Sequence, residues 1–93
     1  KLILGDRVKK SLVVSNYDEN HKDLEVILSS HPLPSQKSID AGERLISEFR
    51  SMDEDDFYIY LLSGGSSALI EKPVSGVSLE DFIQTTQLLL KNG

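Results

Sequence analysis

Residues 57–67, FYIYLLSGGSS, restrict the possible folds of this chain more than any other stretch. Phe57, Tyr58, Ile59, Tyr60, Leu61 and Leu62 break without a transition into Ser63, Gly64, Gly65, Ser66 and Ser67. The first six have the aromatic and aliphatic bulk of a strand buried on both faces. The two glycines open backbone dihedrals closed to other residues and remove each Cβ that would hold a ligand away. Strand, glycine–serine turn and helical stretch, in that order, form the usual setting for an anion bound by backbone N–H groups. The pattern points to a phosphate-handling α/β protein without naming its chemistry.

The rest of the chain supplies elements that fit such a sheet. Residues 2–4 followed by Gly5 read as a helix end with its glycine stop. Residues 11–15 (SLVVS) form a short β-branched strand, residues 16–23 (NYDENHKD) a polar loop, and residues 24–28 (LEVIL) a second strand. A connection of about eight residues is too short for the usual parallel crossover helix. The two strands are therefore antiparallel neighbours, or one of them lies at a sheet edge.

His31-Pro32-Leu33-Pro34 is rigid and extended, because proline fixes its own φ and disfavours helix in the residue before it. Ser35 or Ser38 then caps a helix running to about Ser51 or Met52, with Ile39, Leu45, Ile46, Phe49 and Met52 as its apolar stripe. The acid run at residues 53–56 (DEDD) ends it, since acids sit badly at the negative end of the helix dipole. Residues 66–70 read as one helical turn. Ser78 caps a last helix with Asp81 in a capping-box-like position, and Leu79, Phe82, Ile83, Thr86, Leu89 and Leu90 form its buried stripe.

Strands alternating with helices imply an α/β fold: three layers, with a mostly parallel or mixed sheet and helices on its faces. Ligands of such sheets gather at the carboxyl ends of the strands, where the glycine–serine loop lies. At 93 residues the chain is one small unit at most. Beginning at Lys1 and helical at both ends, it is expected to be an incomplete fragment of a larger domain.

Composition removes several function classes. A net charge of -5, with scattered lysines and arginines, excludes nucleic acid as a partner, because a phosphate-backbone binder needs a basic face. The absence of cysteine excludes disulfides and thiolate metal sites, and fits a reducing, cytoplasmic compartment. Apolar runs fall far short of the roughly 20 residues needed to span a bilayer, so no membrane is expected either. Sheet edges left uncovered make a homo-oligomer an expectation.

The candidate binding residues are Ser63, Gly64, Gly65, Ser66, Ser67 and His31. In the loop the glycines open a nest of N–H donors and the serine hydroxyls add contacts; the plain alternative is a tight strand-to-helix turn. Neither GxxxxGK[ST] nor GxGxxG is matched. A serine nucleophile at Ser66 is disfavoured, because both histidines, His21 and His31, precede it, against the hydrolase order of serine, acid, histidine. His31 ends the second strand, where it either binds a phosphate or carboxylate or fixes the proline turn through its ring. His21 reads as solvated. The acid run lacks the spaced oxygens and turn glycine of a calcium loop, so no metal ligand is assigned.

Residues 62–93, LSGGSSALIEKPVSGVSLEDFIQTTQLLLKNG, resemble the glycerate 2-kinase family, the bacterial type related to tartrate-utilisation proteins and proteins named hydroxypyruvate reductase. That family carries SGGGSALLxxPxxGxSLExxxxxTxxLLxxG after a buried strand, and its HPxP stretch is matched by His31-Pro32-Leu33-Pro34. The resemblance implies an ATP-dependent, magnesium-requiring kinase that phosphorylates the 2-hydroxyl of D-glycerate to 2-phosphoglycerate. It implies a longer two-domain α/β enzyme, with residues 1–93 in the N-terminal domain, a small hydroxy acid and a nucleotide as partners, and the active site in the cleft between domains.

Ser63, Gly64, Gly65 and Ser67 fall on the family's glycine-rich loop, which is expected to contact phosphate or glycerate. Ser66 stands where the family pattern has its third glycine, Ser30 precedes His31 where glycine is usual, and Ser35 replaces a common aspartate. The family's basic catalytic residues lie outside the segment, so no catalytic residue is assigned and the isolated segment is expected to be inactive. Two further readings compete: a non-catalytic module that binds sugar phosphates or organic acids, and an enzyme similar to 6-phosphogluconolactonase, whose phosphate loop also reads SGGS.

Overall fold

A computed structural model of the chain describes residues 5–18 and 24–93. After a 3-10 turn at Gly5–Arg7 come strands β1 (Leu12–Ser15) and β2 (Glu25–Leu28), then helices α1 (Gln36–Arg50), α2 (Ser66–Leu69) and α3 (Leu79–Lys91). The α/β class holds. The expectations for residues 2–4 and His21 lie outside the described residues.

β1 and β2 pair in parallel, with Leu12 opposite Glu25 and Ser15 opposite Leu28. The sequence left antiparallel pairing open because no crossover helix fits between the strands. None is needed. Returning from Ser15 to the start of a four-residue strand covers only about 13 Å, at roughly 3.3 Å per residue, a span within reach of a connection this short. The ladder runs one step further where the Ser29 N–H donates to the Ser15 carbonyl at 2.7 Å. Both strands therefore end at the same edge.

Ser35 caps α1 from an extended backbone (φ −144°, ψ −174°), its hydroxyl accepting from the Lys37 N–H at 3.1 Å. The Ser38 hydroxyl accepts from the Ser35 N–H at 3.0 Å, closing a capping box in which serine replaces the usual acid or amide. The helix residues buried most deeply are Ser38, Ala41 and Gly42, not the expected stripe of Ile39, Leu45, Ile46, Phe49 and Met52. Phe49 is exposed and the other four are half-buried. The reason is a close approach of main chain. The Glu71 N–H donates to the Ser38 carbonyl at 3.0 Å, and a Cβ on Gly42 would lie 2.9 Å from the Glu71 carbonyl carbon and closer still to its oxygen. Only small residues admit that contact.

The largest difference from the sequence reading is at residues 57–62, which form no strand. Phe57 is 97% and Leu61 89% exposed, where burial on both faces was expected. A strand requires a hydrogen-bonded neighbour, and among the described residues β1 and β2 pair only with each other. The segment is instead fastened along one side. Tyr58 meets Phe49 edge-on at 4.4 Å and stacks on Tyr60 at 6.1 Å. Burial raises the Tyr58 hydroxyl pKa, with Tyr60 adding to it.

The acid run takes part in the fold as well as ending the helix. Lys9 forms an ion pair with Asp56, whose side chain is only 16% exposed, and the Asp53 N–H donates to the Asp56 carboxylate at 2.9 Å. α3 is capped as read, with the Ser78 hydroxyl accepting from the Asp81 N–H at 3.1 Å. Its stripe is half-buried at Leu79, Phe82, Ile83 and Thr86, but Leu89 and Leu90 are exposed. Among the described residues no helix is long and apolar enough to cross a membrane. The radius of gyration, 15.2 Å, exceeds the roughly 12 Å of a compact chain this long, in keeping with so thin a core.

Candidate functional site

The shared carboxyl edge of β1 and β2 is where the candidate residues meet. β1 ends at Ser15 and the chain continues into Asn16 and Tyr17; beyond β2 it continues into Ser29, Ser30 and His31. An open cleft of about 450 Å³ at this edge is lined by Val13, Val14, Ser15, Asn16, Tyr17, His31, Ser63, Gly64 and Leu69. Its floor is apolar and its rim carries hydroxyl, amide and imidazole groups. Among the described residues no Asp, Glu, Lys or Arg lines it.

Serine side chains hold the edge in shape. The buried Ser29 hydroxyl donates to the Leu69 carbonyl at 2.5 Å, tying the end of β2 to the end of α2. The Ser30 and Ser35 hydroxyls are hydrogen-bonded to each other, joining the residue before His31 to the cap of α1. Residues 31–33 bend through a cis His31–Pro32 peptide. This chain of contacts places the exposed His31 ring against Gly65.

Gly65 is the one loop position where glycine is demanded twice. Its φ of +83° lies in the left-handed region, and a Cβ there would lie 2.7 Å from the His31 Cδ2 and closer to Nε2. Gly64 meets no such obstacle, since a Cβ built there finds nothing within 4 Å. Ser66 begins α2, and among the described residues no residue other than glycine has a positive φ. Serine at the family's third glycine position is therefore accommodated without backbone strain.

The sequence-based candidates divide into two groups. His31, Ser63 and Gly64 line the cleft; Gly65 stands behind them against the His31 ring, while Ser66 and Ser67 belong to α2 and do not line it. The His31 ring faces the cleft and lies against Gly65. The sequence reading missed Ser15, Asn16 and Tyr17, which it placed in a strand end and a polar loop. The signal was present: residues just after a strand of a parallel sheet lie at its ligand-bearing edge. Among the described residues, no group of three His, Asp or Glu side chains is gathered to hold a metal ion.

Residues 2–93 match the family described as Domain of unknown function (DUF4147). The chain belongs to the DUF4147 family. This DUF4147 chain is 36% identical to the D-glycerate 2-kinase of Thermotoga maritima, over 98% of its own length and 22% of the relative's. It is 44% identical to the glycerate 2-kinase of Pyrococcus horikoshii, over 83% of its own length and 18% of the relative's. The crystal structure of Thermotoga maritima glycerate kinase superposes with a TM-score of 0.83 at 36% identity, covering 99% of the chain and 23% of that structure. The expected kinship with the glycerate 2-kinase family holds. The chain spans about a fifth of the length of the relatives it matches.

Proposed function

We propose that the chain is part of the N-terminal α/β domain of a longer two-domain kinase, which transfers the γ-phosphate of ATP to the 2-hydroxyl of D-glycerate and gives 2-phosphoglycerate. The observation that carries this reading is the meeting of His31 and the Ser63–Gly64 turn in one uncharged cleft, within a fold that superposes along its whole length on a glycerate kinase. The cleft offers what a small hydroxy acid or a phosphate needs. The hydroxyl of Ser63 and the N–H groups of the turn donate to a carboxylate or phosphate oxygen, and the His31 ring adds a donor. Among the described residues no backbone N–H of residues 63–67 donates to a main-chain carbonyl, so these donors remain available to a ligand.

Phosphoryl transfer also requires cations around the transferring group. Lys9, Lys10, Arg44 and Lys72 are held in ion pairs elsewhere, and none lines the cleft. Magnesium, when bound, neutralises charge on the phosphates; among the described residues no acid set is gathered for it. The role of these residues is to hold the acceptor, while the cationic side chains come from the remainder of the longer protein.

The test is a coupled ADP-release assay on the full-length protein with D-glycerate, ATP and magnesium. It is expected to show 2-phosphoglycerate formation that disappears when only residues 1–93 are supplied. Phosphorylation by the isolated segment would contradict the division of roles. The uncharged cleft favours one second reading, a non-catalytic module for organic acids; binding of D-glycerate by the full-length protein without turnover would select it.

A further inference from the structure

We propose that Asn16 is a specificity-determining residue of this cleft, reading the hydroxyl of the small acid that does not react. The inference rests on the function proposed above and assigns a role to a residue that neither the sequence motifs nor the loop supplies. Asn16 follows directly on β1, lines the cleft together with His31, Ser63 and Gly64, and is exposed. Among the described residues its carboxamide has no hydrogen-bond partner. Two of the polar groups around it are committed or one-sided. The Ser15 hydroxyl is buried and accepts from the Tyr17 N–H at 3.4 Å, and the turn N–H groups can only donate.

A carboxylate or phosphate accepts hydrogen bonds only, and is served by the turn and His31. A hydroxyl both donates and accepts, and the Asn16 carboxamide offers both functions on separate atoms. Val13, Val14 and Leu69 supply the apolar surface beneath, which gives no compensating bond to an acid lacking that hydroxyl. The occupant that fits is therefore a short acid with one hydroxyl to react and a second to be recognised.

The test measures dissociation constants by isothermal titration calorimetry on the full-length protein, for D-glycerate and for D-lactate, which lacks the 3-hydroxyl. Wild-type protein is expected to bind D-glycerate about tenfold more tightly than D-lactate, the effect of one good hydrogen bond. Asn16→Ala should weaken D-glycerate about tenfold and leave D-lactate unchanged, so that the preference vanishes; Asn16→Gln should restore part of it. A preference that survives Asn16→Ala, or a loss of equal size for both acids, overturns the inference while leaving the proposed function intact. Wild-type protein that binds neither acid overturns both.

Discussion

The two edges of the β1–β2 pair use opposite chemistry. At the amino edge, Glu25, Arg44, Glu48 and Lys10 form one network: Arg44 reaches Glu25 at 2.6 Å and Glu48 at 3.0 Å, while Lys10 reaches Glu48 at 2.6 Å. Every charge there is answered by another, and the result fastens β2 and the segment before β1 onto α1. At the carboxyl edge, among the described residues, no Asp, Glu, Lys or Arg lines the cleft, and N–H, hydroxyl, amide and imidazole groups are left facing solvent. Satisfied polar groups hold a fold; unsatisfied ones at a concave edge are available to a ligand. The difference assigns structure to one end of the sheet and recognition to the other.

Substitutions can break that contrast, and the largest effect should come from Gly65. Gly65→Ala forces a side chain into the left-handed region and against the His31 ring, at a cost of about 2–4 kcal/mol. Thermal unfolding of the full-length protein should show it, and calorimetry should show D-glycerate affinity lost with it. Adding His31→Ala should recover part of the stability but none of the binding. A double mutant no more stable than Gly65→Ala alone would show that His31 is not the obstacle.

Gly42→Ala is expected to come next. Overpacking against the Glu71 carbonyl costs roughly 1–3 kcal/mol, even though alanine is about 1 kcal/mol the better helix former. Because Gly42 lies outside the cleft, D-glycerate affinity of the folded protein should stay within twofold of wild type. A variant that gains stability would contradict the close main-chain approach.

The smallest effect is expected at the amino edge, and it depends on pH. The hydrogen bond from Lys10, followed by that from Arg44, holds the Glu48 carboxyl below its ordinary value of 4.5. The Lys9 hydrogen bond does the same for Asp56. A carboxyl depressed in the folded state stabilises the fold above its ordinary pKa, and that stability is lost as pH falls through the lowered value. Denaturation curves of wild-type protein should therefore weaken below about pH 4.5, and Glu48→Gln should flatten part of that slope. Their lysine partners, Lys9 and Lys10, are solvent-exposed, so the change is small and shrinks further in high salt.

What could be read from the sequence follows the reach of each interaction. Ser35 and Ser78 were legible as caps because a cap is decided within a few residues. The glycine–serine turn was legible for the same reason, and Gly65 takes the left-handed backbone that only glycine adopts easily. Residues 57–62 misled because bulk and β-branching state that a segment is apolar, whereas a strand also needs a neighbour at hydrogen-bonding distance. The buried face of α1 was misjudged because Ser38 and Gly42 owe their burial to Glu71, a contact that no helical periodicity encodes. Asn16 was hidden in a polar loop until the parallel pairing placed both strand ends at one edge.

The central claim is that the uncharged carboxyl edge, and not the charged amino edge, binds the acid. Calorimetric titration of the full-length protein with D-glycerate, comparing His31→Ala with Glu48→Gln, tests it most directly. His31→Ala should weaken binding about tenfold or more, as expected for a lost hydrogen bond to a charged ligand, while Glu48→Gln should leave it unchanged. Equal losses in the two variants, or an affinity indifferent to His31, would contradict the account.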